Sequence, residues 1–301
     1  MVADESDVIT YYDRPSGEVR RETVLGDGFI RWAYRSLSGR LCSPLAFGNS
    51  ILSRLLGWYF GSKLSRGRIE RTIADLGIDA SEFARSPDEF TSFRDFFTRR
   101  LKETARPFPA DPDLLPSPAD GRLLVYPMVD AATEVRVKGI DGPVEDLFDE
   151  PIDGFEGGAI AVVRLCPADY HRYHFPCDGT VVEAREIRGR YDSVNPVALA
   201  SRPRIFCRNK RSCALIDTEA FGRFAFVEVG AFGVAGIHQT YEGARVSRGQ
   251  EKGYFDFGGS TIVLLFRPGA LAFDADLVEN SARGIETLVK VGESIARSGR
   301  N

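Results

Sequence analysis

Three short stretches of the chain carry side chains that could do chemistry. Asp169-Tyr-His171-Arg-Tyr-His174-Phe-Pro176 holds two of the three histidines. On a helical turn, a spacing of three puts both imidazoles on one side, as zinc ligands or an acid–base pair. A lone HxxH also reads as two structural histidines in a loop. Pro118-Ala-Asp120-Gly121 reads first as a turn; a buried carboxylate there could instead orient an imidazole. Gly253-Tyr-Phe-Asp-Phe-Gly258-Gly259-Ser260-Thr261 leads into the apolar run 262–266. Two glycines before a serine leave the backbone open around one peptide bond. That segment is either a glycine bulge at a strand start or a serine whose Oγ reaches the preceding carbonyl. The third histidine, in Gly236-Ile-His238-Gln, reads as structural. The cysteines, Cys42, Cys166, Cys177, Cys207 and Cys213, are odd in number with no CxxC pair. They argue against a disulfide framework or zinc knuckle and for a reducing compartment.

The elements that must hold these residues fall into two textures. From residue 114 onward the chain shows short β-like runs at 122–126, 133–137, 159–165, 179–184, 212–217, 224–229 and 261–266. Gly, Pro, Asp and Asn separate them. No long helices alternate with these runs, which predicts a mostly antiparallel β domain. Residues 284–298 read as one closing helix, interrupted by Gly292. Residues 22–104 read as helical. Phe29, Ile30, Ala33, Tyr34 and Leu37 recur at helical spacing, as do Ile51, Leu52, Leu55, Leu56, Tyr59 and Phe60. The segment 88–102, acidic and aromatic, reads as a helix started by Pro87 and closed by Pro107. The expected fold class is therefore α+β. A polar tail (1–21) and a helical region (22–106) precede a β-rich catalytic domain (107–301).

Composition sets the outer bounds. The 301 residues are 43% apolar and 27% charged, which excludes a disordered chain, a collagen and a coiled coil. A net charge of −4 argues against nucleic acid as a partner. Residues 14–68 depart from this balance, with ten Lys/Arg against three Asp/Glu. The rest of the chain carries 29 against 40, so the N-terminal end suits an anionic partner. No 18-residue window is apolar enough to span a bilayer, and the first residues lack a signal-peptide core. Region 22–68 is then either ordinary helices with a solvated basic face or an interfacial surface. In the second case Trp32, Trp58, Tyr59 and Phe60 enter lipid while Arg and Lys meet headgroups.

Taken in order, the motifs form a pattern. Phe93-Arg-Asp-Phe-Phe-Thr-Arg-Arg-Leu-Lys102 with Arg106-Pro107 comes first, then Pro118-Ala-Asp-Gly121 and Asp169-Tyr-His-Arg-Tyr-His-Phe-Pro176. Phe206-Cys-Arg-Asn-Lys-Arg211, Val229-Gly-Ala231, Gly249-Gln-Glu-Lys-Gly-Tyr-Phe255 and Phe257-Gly-Gly-Ser-Thr261 follow. The chain resembles the phosphatidylserine decarboxylase family, whose members are self-cleaving proenzymes. The resemblance implies an Asp120/His174/Ser260 triad. Ser260 Oγ would attack the Gly259 carbonyl, and elimination and hydrolysis would leave a pyruvoyl group at position 260. The products, a beta chain (1–259) and an alpha chain (260–301), would stay associated. The covalent pyruvoyl would form a Schiff base with phosphatidylserine and take up charge as CO₂ leaves, with His171 serving that step and no metal required. The resemblance also implies peripheral attachment to an anionic membrane, at the cytoplasmic face of a bacterial inner membrane. It leaves open a homo-oligomer. Two competing readings remain from the residues alone: a zinc hydrolase using His171 and His174, and a membrane-binding β module without chemistry.

Overall fold

The run Thr261-Ile-Val-Leu-Leu-Phe266 alternates between two apolar layers, so its strand must be covered on both faces. The structure, a computed structural model, describes residues 9–22, 57–128, 144–149, 153–190, 192, 204–233 and 236–300. In it that run forms the middle of a ten-stranded sheet. The strands are β1 (Thr10–Asp13), β2 (Glu18–Arg21), β3 (Leu114–Pro116), β4 (Gly121–Tyr126), β5 (Ala159–Leu165), β6 (Arg172–His174), β7 (Gly179–Ile187) and β8 (Arg211–Thr218). They continue as β9 (Gly222–Gly233), β10 (Ile237–Gln239), β11 (Arg245–Val246), β12 (Glu251–Phe255), β13 (Gly258–Phe266), β14 (Leu271–Phe273), β15 (Glu286–Val289) and β16 (Ser294–Ser298). The large sheet runs β11-β7-β8-β9-β13-β5-β4-β15-β1-β2. Its described pairings are antiparallel except β1 with β15. Two three-stranded sheets, β10-β12-β6 and β14-β16-β3, complete an α+β fold that is mostly β.

Ile262, Leu264 and Phe266 face one apolar layer, which also holds Tyr173, Phe175 and Phe255 of the β12–β6 sheet. Val263 and Leu265 face the other, with Ile205 and Phe206 of α3 (Ile205–Arg208; α1 and α2 are given below). Ser260 shares the parity of Ile262, so its side chain belongs to the layer carrying β6.

Several expectations change. Residues 284–298 are not a helix. They form β15 and β16, because Thr287 and Val289 alternate inward and Gly292 turns the chain at φ 88°. A Cβ at Gly292 would meet the Pro107 carbonyl oxygen at 2.2 Å. The helix near this end is α4, Ala275–Ala282. The 88–102 segment is broken into a 3₁₀ turn at Pro87–Glu89 and the short α2, Phe93–Phe97. Ser92 caps α2 by accepting from the Asp95 amide, and Thr98 Oγ1 bonds back to the Arg94 carbonyl as it ends. Before it come a 3₁₀ stretch, Lys63–Arg68, and α1, Ile69–Leu76. Residues 10–21, read as a polar tail, form the β1–β2 hairpin at the sheet edge. The 133–137 run and the helices expected within 23–56, with Trp32 and Arg54, lie outside the described residues.

Candidate active site

Ser260 lies two residues into β13, opposite Leu165 of β5 and Gly230 of β9. The register with β9 slips between Gly258 and Ser260, and Gly258 takes φ 144°, a conformation that favours glycine. The glycine-bulge reading is thus correct as geometry, and it sits immediately before the serine. Ser260 is fully buried, and its Oγ has no hydrogen-bond partner among the described residues. A buried hydroxyl left unpaired is costly, which marks the position as one the fold has not optimised for rest.

The two histidines do not share a helical turn. His171 immediately precedes the extended β6 and His174 ends it, so a spacing of three sends them to opposite sides. His171 lies level with Phe255, whose amide donates to the His171 carbonyl at 2.9 Å. His174 lies level with Glu251, four residues further back along β12. The His171 ring is fully buried against Phe97, with centroids 3.9 Å apart. Its Nδ1 is 3.0 Å from the Asp169 carbonyl oxygen. A carbonyl only accepts, so Nδ1 carries the proton and Nε2 is bare; Nε2 has no partner among the described residues. Burial, helped by the Arg99 cation and opposed by the Asp169 carbonyl and Asp120, pulls His171 down to about 3. His174 stands between Tyr170 and Phe108. Burial pulls it down to about 4 against the pull of Glu251 and Asp120. Both imidazoles are therefore neutral at pH 7 and able to accept a proton.

Asp120 is buried, as expected, but its carboxylate does not bond a histidine. Arg106 holds it through Nε at 2.9 Å and Nη2 at 2.6 Å, and the Val291 amide donates at 2.8 Å. Arg106 also reaches Glu82 at 2.9 Å. The loop of Asp120 still adjoins His174, whose amide donates to the Pro118 carbonyl at 2.9 Å. So the structure gathers Asp120, His171 and His174 around one short loop, with no hydrogen bond from Asp120 or Ser260 to either ring among the described residues. Among the described residues no group of three or more His, Cys, Asp or Glu side chains has a metal-ligand arrangement. His238 faces outward, stacked on Tyr254 at 4.7 Å.

These features match known proteins along most of the chain. The sequence profile of the family described as phosphatidylserine decarboxylase matches residues 93–297. Proteins named phosphatidylserine decarboxylase proenzyme from Clostridium perfringens and Clostridium botulinum are each 40% identical over 291 residues, covering 96% of this chain and 99% of theirs. One of the same name from Ruminiclostridium cellulolyticum is 40% identical over 291 residues, covering 97% of its length. The chain belongs to the phosphatidylserine decarboxylase family.

Within that family frame, sequence reasoning missed how much of the site comes from before residue 107. Phe97 packs on His171, Arg106 holds Asp120 and is itself paired with Glu82, and Arg99 lies buried beside the Asp169 turn. Phe257, three residues before Ser260, joins the ring cluster of Phe60, Phe93 and Phe97 at 4.0–5.4 Å. One signal was available: a run as aromatic as 90–100, ending in two arginines, is poorly explained by a solvated helix face, since buried arginine needs partners.

Proposed function

We propose that the chain is a proenzyme that cuts itself between Gly259 and Ser260 and then decarboxylates phosphatidylserine to phosphatidylethanolamine and CO₂. The carrying observation is the buried, unpartnered Ser260 Oγ immediately after a glycine bulge, in a chain of this family. Ser260 Oγ attacks the Gly259 carbonyl carbon, and His174 takes the hydroxyl proton, with the Asp120 charge stabilising the imidazolium. The acyl group moves from nitrogen to oxygen. Loss of the Cα proton and departure of the Gly259 carboxylate then leave a dehydroalanine, and water releases ammonia to give the pyruvoyl group. Position 260 suits such a group: across β9 its partner is Gly230, so no side chain crowds that flank. When formed, the group supplies an electron-accepting carbonyl for decarboxylation. His171, with a bare Nε2, moves a proton to or from the substrate.

The same reading puts the enzyme on an anionic membrane surface, at the cytoplasmic face of a bacterial inner membrane. Its support is the exposure of Trp58 and Leu64, 67% and 72%, beside the exposed Lys63, Arg66 and Arg68. Among the described residues no helix is long and apolar enough to cross a bilayer, so the contact proposed is peripheral.

Intact-mass measurement of purified protein tests the core of this reading. The expected result is two fragments, 1–259 and a 260–301 piece with a ketone-bearing N-terminus, and a single chain for Ser260→Ala. A wild-type chain that is active yet uncut would overturn it.

A further inference from the structure

Arg99 is the buried arginine near the site with no carboxylate within ion-pair distance among the described residues. Its neighbours Arg106 and Arg122 hold Asp120 and Asp169. Arg99 instead donates from Nη2 to two successive carbonyls, Ala168 at 2.9 Å and Asp169 at 3.0 Å. The second oxygen is the one that receives His171 Nδ1–H. The remaining face of the guanidinium lies over Phe83 and Phe96, at 5.2 and 5.0 Å, while Nε and Nη1 are buried without hydrogen bonds. A cation so placed is expensive, and its packing alone does not require a charge: methionine would fill much of the same volume. What a charge adds here is a fixed carbonyl and a positive field beside one imidazole.

We propose that Arg99 is a positioning residue for His171, holding the Asp169 carbonyl so that the ring keeps its proton on Nδ1 and enters decarboxylation with Nε2 bare. Phe97, two residues earlier, fixes the plane of the same ring, so one short segment at the end of α2 sets both its tilt and its tautomer. The groups facing His171 are Arg99 from this segment, Asp120 from its loop and the Asp169 carbonyl from the turn before β6; the Asp169 carboxylate itself is taken up by Arg122. Burial, opposed in part by the nearby Asp120 and Asp169 charges, lowers Arg99 to about 10, still cationic at pH 7. Its field works against an imidazolium, as the depressed basicity of His171 reflects. The consequence is an order of events. A substrate ammonium must shed a proton before its nitrogen can act as a nucleophile. Nε2 accepts that proton, the pair of electrons staying on the substrate nitrogen. When the carbon–carbon bond breaks and CO₂ departs, the carbon takes a proton back from Nε2, and the ring returns neutral.

This inference rests on the assignment of His171 to decarboxylation, and the experiment separates the two. With three histidines in the chain, ¹⁵N-histidine spectra of the matured enzyme are simple, and His171→Gln and His238→Gln assign the signals. Full decarboxylation by His171→Gln sinks the assignment itself. For Arg99, wild type should show His171 as the Nδ1–H tautomer from pH 5 to 8. Arg99→Met should lower kcat about 10- to 100-fold with KM unchanged. Its acidic limb should move to higher pH, because removing a cation makes protonation of His171 easier. Arg99→Lys should restore most of kcat and the limb. Self-cleavage should persist in both variants. An Nε2–H tautomer in wild type, which needs no variant to fold, overturns the proposal. So does Arg99→Met with its tautomer and pH profile unmoved.

Discussion

Two neighbouring regions meet at the site and are built on opposite principles. The strand of Ser260 is laddered on both sides, and Ile262, Val263, Leu264, Leu265 and Phe266 are fully buried. Residues 57–106 have helices of at most eight residues among the described ones, and what orders them is the packing of Ile69 with the rings of Phe60, Phe83, Phe90, Phe93, Phe96 and Phe97. Helices that short do not persist alone in water. The sheet thus fixes the Gly259–Ser260 peptide proposed to break, while the ring cluster packs beside it, with Phe257 as the joint. A substitution in the first region threatens the fold, and one in the second reaches the side chains around the site as well.

The histidines provide the largest expected effect. Under the proposed division of labour His174→Ala stays a single chain on a gel, whereas His171→Ala cuts at least in part and decarboxylates at least about 100-fold more slowly. Equal loss of cleavage in both would break the division and would fit the register of β12, which brings His171 nearer along the chain to Ser260.

Arg106 comes next, since it ties the two regions together. Arg106→Met leaves the buried Asp120 carboxylate with the Val291 amide as its remaining described donor. Removing one partner of a buried pair costs about 3–5 kcal/mol. Urea unfolding in a Ser260→Ala background reads that cost without interference from cleavage. In the wild-type background the same change should slow maturation. If stability falls while maturation keeps its rate, Asp120 is structural.

Acid should separate the regions more gently. His171 and His174 lie at about 3 and about 4 in the folded protein, below the ordinary 6.5. As pH falls below about 6.5 the unfolded chain takes up protons that the folded one refuses. Their contribution to stability is therefore complete above that pH and is lost as pH falls toward 4. In the Ser260→Ala protein the urea midpoint should drop from pH 6.5 to 5, above the range where carboxylates titrate. Adding His171→Gln should flatten the slope by up to one proton, about 1.4 kcal/mol per pH unit. An unchanged slope would mean that His171 is not buried as a neutral ring.

Much of the sheet was legible because strand period and burial agree. The runs at 159–165 and 261–266 are apolar on both faces, and the observed strands begin or end within a few residues of them. The misreadings share a cause: tertiary pairing decided between helix and strand where the local pattern allowed both. Residues 286–298 carry more helix formers than strand formers, and pairing with β4 and β3 nonetheless made them strands. Likewise pairing with β12 extended the HxxH segment and separated its rings. Asp120, His171, His174 and Ser260 stand out in the sequence as candidates, through the motif order that the family resemblance rests on. Their partners Arg99, Arg106 and Phe97 were not, because nothing local says which of several arginines turns inward.

The smallest effects belong to the outer face of the ring cluster. Lys63, Arg66 and Arg68 are exposed; Arg66 donates to the Asp88 carbonyl at 2.7 Å, and Arg68 lies 5.6 Å from the Tyr59 ring. Changing all three to Gln should cost the fold little, within about 0.5 kcal/mol per site. Binding to anionic vesicles should weaken by about 1 kcal/mol per charge at low salt, and by less as salt rises. Trp58→Ala should instead remove a part of binding that salt does not touch, because apolar burial is not screened. Cleavage should proceed normally in both, since none of these side chains reaches Asp120, His174 or Ser260. Deleting residues 1–68 is a poorer test: it also removes β1, the Arg14 bonds to Asp274 and Asp276, the Glu22 partner of Arg164, and Phe60 beside Phe257. Vesicle binding by the triple Gln variant that equals wild type at low salt would make this face ordinary scaffold, and the two regions would then differ in packing alone.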